Sequence, residues 1–207
     1  MTDDSIQAAL MWLEQQLHDA GLPWRSDWRE PLTIMVQWTQ RFSTRTNLVG
    51  DSSAMGIVRE HILEALTVAA LLQEQGVQWR SAVDVGAGAG LEALCLAMTR
   101  PEGHMTALEP RRKRADFIEI VADAMAVKVT VVRAKIPQWT PPSPVDLAIS
   151  RATFAPTLWL KLARSMVKSD GWVVIHGDDS TNTGQRVLAY GRVPDSQGHR
   201  IELYQLG

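Results

Sequence analysis

Apolar positions recur at helical spacing along the first third of the chain and in short unbroken runs along the rest. Ile6, Ala9, Leu10, Leu13 and Leu17 share one helical face behind Ser5, which can cap it, and Gly21 and Pro23 close that helix. A second helix is predicted from Pro31, a favoured first-turn residue, with Leu32, Met35, Val36 and Phe42 inward. A third runs from about Ser53 to Gln75, with Val58, Ile62, Leu66 and Ala69-Ala70 on one side and Gly76 as its stop. From Ser81 the period changes. Ser81–Val85, Met105–Leu108, Val127–Val132, Val145–Ile149 and Gly171–Ile175 read as strands. Helices are predicted between them at Leu91–Met98, Arg111–Met125 and Ala155–Val167. A turn at Pro194–Gly198 separates Arg186–Val193 from Arg200–Leu206 as a terminal hairpin. This alternation predicts an α/β fold with a mostly parallel, Rossmann-like, doubly wound sheet. An antiparallel C-terminal hairpin closes the sheet, and an N-terminal helical extension precedes it. The expected division is a helical cap at 1–76 and a sheet domain at 77–207.

The stretch Val83-Asp84-Val85-Gly86-Ala87-Gly88-Ala89-Gly90 sits where the first strand passes into a helix. Glycines there let the backbone turn sharply and approach a ligand, with free amides of the helix start behind them. Dinucleotides and S-adenosylmethionine both use such a crossing. The dinucleotide fingerprint G-x-G-x-x-G is not matched, because the glycines fall at Gly86, Gly88 and Gly90 and Glu92-Ala93 follow. The D-x-G-x-G-x-G form from Asp84 favours the methyl donor. Glu109, at the end of the second strand, suits ribose hydroxyls in either case.

Composition narrows the function classes. A net charge of −2 supplies no global polycation to steer the chain onto nucleic acid, so any RNA contact rests on local patches. The single cysteine, Cys95, excludes an internal disulfide and a cysteine-based zinc site, and its place on the apolar helix after the loop suits packing. No metal-ligand spacing is evident, so no metal is expected. No run reaches membrane-spanning length and the start Met1-Thr2-Asp3-Asp4 is no signal peptide, which points to a cytoplasmic protein without a membrane partner. A monomer is expected. The eight tryptophans are scattered, as packing anchors would be.

The chain resembles the RsmG (GidB) family of 16S ribosomal RNA guanine-N7 methyltransferases. The residues that carry the resemblance are Arg59-Glu60-His61-Ile62-Leu63-Glu64 and Asp84 through Leu91. They continue with Arg100-Pro101-Glu102-Gly103-His104, Leu108-Glu109 with Lys113-Arg114 and Phe117, Ile149-Ser150-Arg151-Ala152, and Gly177. The resemblance implies a class I methyltransferase sheet, S-adenosyl-L-methionine as cofactor, and ribosomal RNA or the small ribosomal subunit as partner. Four places depart from the family pattern. Leu91-Glu92-Ala93 replaces a Phe/Leu-Pro-Gly turn and His176-Gly177 replaces Lys-Gly. Glu60-His61-Ile62-Leu63-Glu64-Ala65 replaces Arg-His-x-x-Asp-Ser, and Ala134-Lys135 stands where an acid often follows the third strand. A relative acting on another RNA or a small molecule, and a non-catalytic Rossmann-type module, are the alternatives.

Candidate residues follow from these readings. Cofactor contacts are expected from Asp84, Gly86, Ala87, Gly88, Gly90, Glu109, Ala134 and Lys135. Arg151 follows the fourth strand, whose carboxyl end faces the ligand crevice, so its guanidinium can hold a phosphate or the guanine O6 edge; a structural pairing with a helix carboxylate is the alternative. His176, ending the fifth strand, can face substrate or serve as a structural histidine. Arg111, Arg112, Lys113 and Arg114 place cations at a helix start, against the dipole, which phosphate contact or a solvated face explains. Arg45 can extend that patch, and His61 joins it through the resemblance alone. Guanine N7 has a lone pair and no proton to lose, so placement rather than a general base is the requirement.

Overall fold

The computed structural model describes residues 2–177, 189–196 and 199–207. Helix α1 (Thr2–Asp19) starts ahead of the Ser5 cap and keeps the predicted inward face. Helix α2 (Arg29–Ser43) starts ahead of Pro31, because a 3-10 turn at Ser26–Trp28 feeds directly into it. Pro31 still occupies the first turn, where its missing N–H breaks no helical bond. The third predicted helix is three pieces. Ser53 caps α3 (Ala54–Ile57) by accepting from the Gly56 amide at 3.0 Å. A π turn at Val58–Ile62 then joins α3 to α4 (Leu63–Glu74).

The strands are β1 (Ser81–Val85), β2 (His104–Leu108), β3 (Val129–Val132), β4 (Val145–Ser150), β5 (Val167–Gly177), β6 (Ala189–Arg192) and β7 (Arg200–Gln205). They form a seven-stranded sheet in the order β3-β2-β1-β4-β5-β7-β6. The first five are parallel, and β7 runs antiparallel to both β5 and β6. Helix α5 (Leu91–Thr99) follows β1, α6 (Arg112–Ala124) follows β2, and α7 (Pro156–Ala163) follows β4. Helix α7 is shorter than Ala155–Val167 because the Val145 amide donates to the Met166 carbonyl at 2.8 Å, drawing Val167 into β5. Of the predicted hairpin, 186–188 and 197–198 lie outside the described residues.

At the amino ends of the strands, one carboxylate ties three of them together. Asp146 of β4 accepts from the backbone amides of Arg80 and Ser81 at 2.8 and 2.9 Å and pairs with Lys168 of β5 at 2.6 Å. Two apolar clusters flank the sheet. The smaller joins Val83, Val85 and Ala148 to α7, where the buried Trp159 indole donates to the Val174 carbonyl at 2.8 Å. The larger runs unbroken from Ile6 and Leu10 of α1, through α2 and α4, to Leu94 of α5 and Met105 of β2. Ile6, Leu10, Leu13 and Leu17 are each 0% exposed. Burial of such a side chain is worth about 1.5–3 kcal/mol, so packing is the main hold on α1, with the Arg29–Glu14 pair joining it to α2 as well. Among the described residues no helix is long and apolar enough to cross a membrane.

Candidate active site

A cavity of about 760 Å³ opens at the carboxyl ends of β1, β2 and β4. After β1 the chain builds outward to β3 and then returns to β4 on the other side of β1. Open α/β sheets place ligands at such a reversal. The glycine loop forms one wall. Gly86 has φ +75°, and a Cβ there would stand 2.4 Å from Thr153 Oγ1, so only glycine fits. The amides of Gly86 and Ala87 both donate to the Leu108 carbonyl, at 2.8 and 3.1 Å, which fixes the loop against the end of β2. Glu109 extends that hold. Its two carboxylate oxygens accept from the Gly88 amide at 2.8 Å and the Arg111 amide at 2.9 Å. Each oxygen keeps lone-pair capacity toward the cavity.

Asp84, next to last in β1, lies at the cavity floor, 3% exposed. Among the described residues its carboxylate has no hydrogen-bond partner. Burial first, and the nearby Glu92 carboxylate second, raise it to about 8. A buried acid left unpaired in this way is costly unless a cation or donor arrives.

The opposite wall carries Arg151. Its NH1 donates to Glu64 Oε2 at 2.6 Å and to the Glu60 carbonyl at 3.3 Å, and its NH2 lies 2.9 Å from His61 Nδ1. Burial, with the adjacent Arg151 charge next, pulls His61 down to about 4, so its ring is neutral. Accepting from Arg151 at Nδ1 puts the proton on Nε2, which is buried with no partner. His61 comes from the π turn and Glu64 from the first turn of α4, and both meet Arg151.

The expected sites divide as follows. Asp84, Gly86, Ala87, Gly88, Glu109, Ala134, Lys135, Arg111, Arg114, His61 and Arg151 all line the cavity. Gly90 lies behind the wall at the start of α5, with φ +68° and Ile118 packed where a Cβ would be. Arg151 lines the cavity but is engaged by Glu64 of α4, the structural pairing, and its Nε stands 4.0 Å from Glu92 Oε2, which leaves one NH2 hydrogen. His176 does not reach the cavity. Its Nδ1 lies 2.6 Å from Glu64 Oε1 and its Nε2 2.9 Å from Glu92 Oε1. Burial lowers its proton affinity, but the two carboxylates override this and raise it to about 10. A ring with both nitrogens engaged cannot carry a proton to substrate. The same contact outweighs burial at Glu64 and lowers it to about 2.

The cationic run also divides. Arg114 turns inward and donates to the Asn47 carbonyl at 2.9 Å, and Arg112 pairs with Asp116 at 3.5 Å. Arg112 and the exposed Lys113 are not at the cavity. Arg45 borders a separate groove with Trp38 and Phe42. Cys95 is buried, and burial raises its thiol, as a packing residue requires. The lining also takes in Val85, Ala89, Leu91, Glu92, Leu108, Pro110 and Ala152 beside the expected contacts. Leu48, Val49, Ile136, Thr153 and Phe154, not foreseen from the sequence, complete it. Of these only Thr153 had a legible signal, its place directly after Ser150-Arg151-Ala152.

The family profile described as GidB, rRNA small subunit methyltransferase G, matches residues 29–186. The chain belongs to this family. A family relative from Methylobacillus flagellatus, named ribosomal RNA small subunit methyltransferase G, is 29% identical over 167 residues, covering 80% of this chain and 79% of its own. A like-named protein from Rhizorhabdus wittichii is 34% identical over 115 residues, 54% of this chain and 51% of its own. Solved structures agree on the fold. A class I S-adenosylmethionine-dependent methyltransferase from Listeria monocytogenes superposes with TM-score 0.65 at 12% identity, covering 86% of this chain and 69% of its own. The T. thermophilus methyltransferase RsmC, solved with AdoMet and guanosine, gives TM-score 0.55 at 16% identity over 69% of this chain and 43% of its own. This chain's fold is therefore the class I methyltransferase sheet, as the resemblance implies.

Proposed function

We propose that the chain transfers a methyl group from S-adenosyl-L-methionine to N7 of a guanine in small-subunit ribosomal RNA. Asp84 carries this reading. A buried acid without a hydrogen-bond partner at the cavity floor, one that gives up its proton when a cation arrives, matches the positively charged amino-acid end of the methyl donor, where a dinucleotide would bring pyrophosphate. Glu109 offers its remaining lone pairs to ribose hydroxyls, and the loop at Gly86–Gly88 lets the ligand lie close to the backbone. When bound, the donor supplies an electrophilic methyl on its sulfonium. Nothing in the cavity needs to remove a proton, because N7 attacks with its own lone pair. The residues present agree with that, since His61 is neutral and donating and His176 is locked between two acids. His61 and the remaining NH2 hydrogen of Arg151 can hold the O6 edge of the base, while Arg111 and Arg114 at the rim can meet phosphate.

The test has two stages. Calorimetry with S-adenosyl-L-methionine, and with NAD as control, should give micromolar binding of the first alone. Small subunits lacking N7 modification should then accept labelled methyl from the donor, and nucleoside mass spectrometry should identify 7-methylguanosine. Methyl at any other atom would overturn the N7 assignment, and binding of NAD alone would overturn the class.

A further inference from the structure

Three of the residues that depart from the family pattern, Glu64, Glu92 and His176, meet at one place behind the Arg151 wall, and His199 joins them. None of Glu64, His176 and His199 lines the methyl-donor cavity. Glu64 comes from α4, His176 from the end of β5, and His199 immediately precedes β7. One ligand atom from each of the three lies within 4.8 Å of the other two. Glu64 Oε1 stands between the rings, 2.6 Å from His176 Nδ1 and 3.2 Å from His199 Nε2.

We propose that Glu64, His176 and His199 bind one divalent transition-metal ion of the zinc class. Zinc bonds of about 2.0–2.1 Å in a tetrahedral array put ligand atoms roughly 3.3 Å apart; the Glu64–His199 separation of 3.2 Å matches that value, and the 2.6 Å Glu64–His176 contact has to lengthen when the ion enters. Two imidazoles and a carboxylate form a three-ligand set that leaves a fourth position for water. The surroundings are those of a ligand sphere. His176 turns its other nitrogen, Nε2, to Glu92 Oε1 at 2.9 Å, the carboxylate contact that orients metal-bound histidines. Glu64 turns its other oxygen, Oε2, to Arg151 NH1 at 2.6 Å, which leaves Oε1 directed at the two rings. His199 is 32% exposed, so the ion has a path from solvent to the 4% exposed His176. On binding, the ion takes the place of the proton that His176 Nδ1 shares with Glu64, and that proton leaves to water. The ion would cross-link α4 to β5 and to the segment entering β7, and through Glu64 it would fix Arg151 at the cavity wall.

This inference stands apart from the methyl-transfer reading, and its test uses neither RNA nor methyl donor. Tag-free full-length protein, stripped with a chelator, is titrated with cobalt(II) and zinc(II). One equivalent of cobalt(II) should bind with the visible absorption of a tetrahedral site, zinc(II) should displace it, and the melting temperature should rise with either ion. His199→Ala should weaken binding at least tenfold while retaining the circular dichroism and donor affinity of the parent. If that variant does not fold, His199→Asn takes its place with the same expectation. Absence of stoichiometric binding by the parent chain, or equal binding by the parent and the His199 variant, would overturn the site.

Discussion

His176 and Glu92 are 84 positions apart in the chain, yet the Nε2 of one reaches the Oε1 of the other at 2.9 Å in the interior. Glu64 holds the other ring nitrogen, so one imidazolium is shared by two buried carboxylates. Removing one partner of a buried ion pair leaves the other uncompensated. His176→Leu should therefore cost about 3 kcal/mol or more, read as the chemical denaturation midpoint of metal-free protein. The double variant His176→Leu/Glu92→Leu should recover part of that loss. A double variant no better than the single one would show that the pair does not set the cost.

Asp84 is argued to meet a cation, and its isostere separates that role from packing. Asp84→Asn should bind S-adenosyl-L-methionine at least roughly tenfold more weakly, about 1.4 kcal/mol, by calorimetry. Its stability without ligand should equal or exceed the parent's, since the cost of keeping that acid buried, and protonated near neutrality, has been removed. Unchanged donor affinity would remove Asp84 from the site.

The turn at Gly86 is constrained twice, by φ +75° and by Thr153. Gly86→Ala should therefore lose donor binding by at least about tenfold, because both the left-handed backbone and the 2.4 Å contact oppose a Cβ. Adding Thr153→Ser should restore affinity only in part, since the backbone strain and the Oγ contact stay. Full restoration would assign the whole effect to the lost methyl contact.

At the other end of the sheet, Asp146 predicts a pH dependence. Burial raises its pKa, but the Lys168 ammonium and the amides of Arg80 and Ser81 override this and lower it to about 2. A carboxylate depressed on folding from an unfolded value of about 3.9 adds stability above that value, and the gain disappears as pH falls from about 4 to about 2. Urea midpoints of the parent should exceed those of Asp146→Asn near neutrality and converge with them across that window. A gap that stays constant through the window would assign the effect to something other than ionisation.

Much of the sheet is legible along the chain because it is built from local runs. Ser81–Val85 and Met105–Leu108 are short, mainly apolar segments, and the glycines that follow the first of them announce the turn. The site is legible only where it is contiguous with those runs, at Asp84, Gly86–Gly88 and Glu109. The ion network is not, because Glu64, Glu92, His176 and His199 come from four separate segments and no spacing links them. Comparison with the family pattern marks Glu64, Glu92 and His176 as unusual one by one; only the fold shows that they compensate each other. The π turn is hidden for a different reason. Val58–Ile62 has ordinary helical periodicity, and the extra residue per turn becomes visible only in the hydrogen bond from Leu63 to Val58. In the run Arg111–Arg114, composition cannot tell which cation faces inward, since the start of α6 at Arg112 decides it.

The unbroken apolar cluster from α1 to β2 has a consequence for how a nucleic acid would have to approach. Swinging the helical region aside would expose Ile6, Leu10 and Leu94 together, so these helices are no lid. The protein offers a fixed rim and a recessed interior, and the distortion needed to bring a base to the Arg151 wall of the cavity falls on the RNA. An unpaired or easily unstacked guanine then becomes the preferred target, since it requires the least rearrangement. Discrimination among guanines is set by the pliancy of the strand that presents them as much as by contacts to the base.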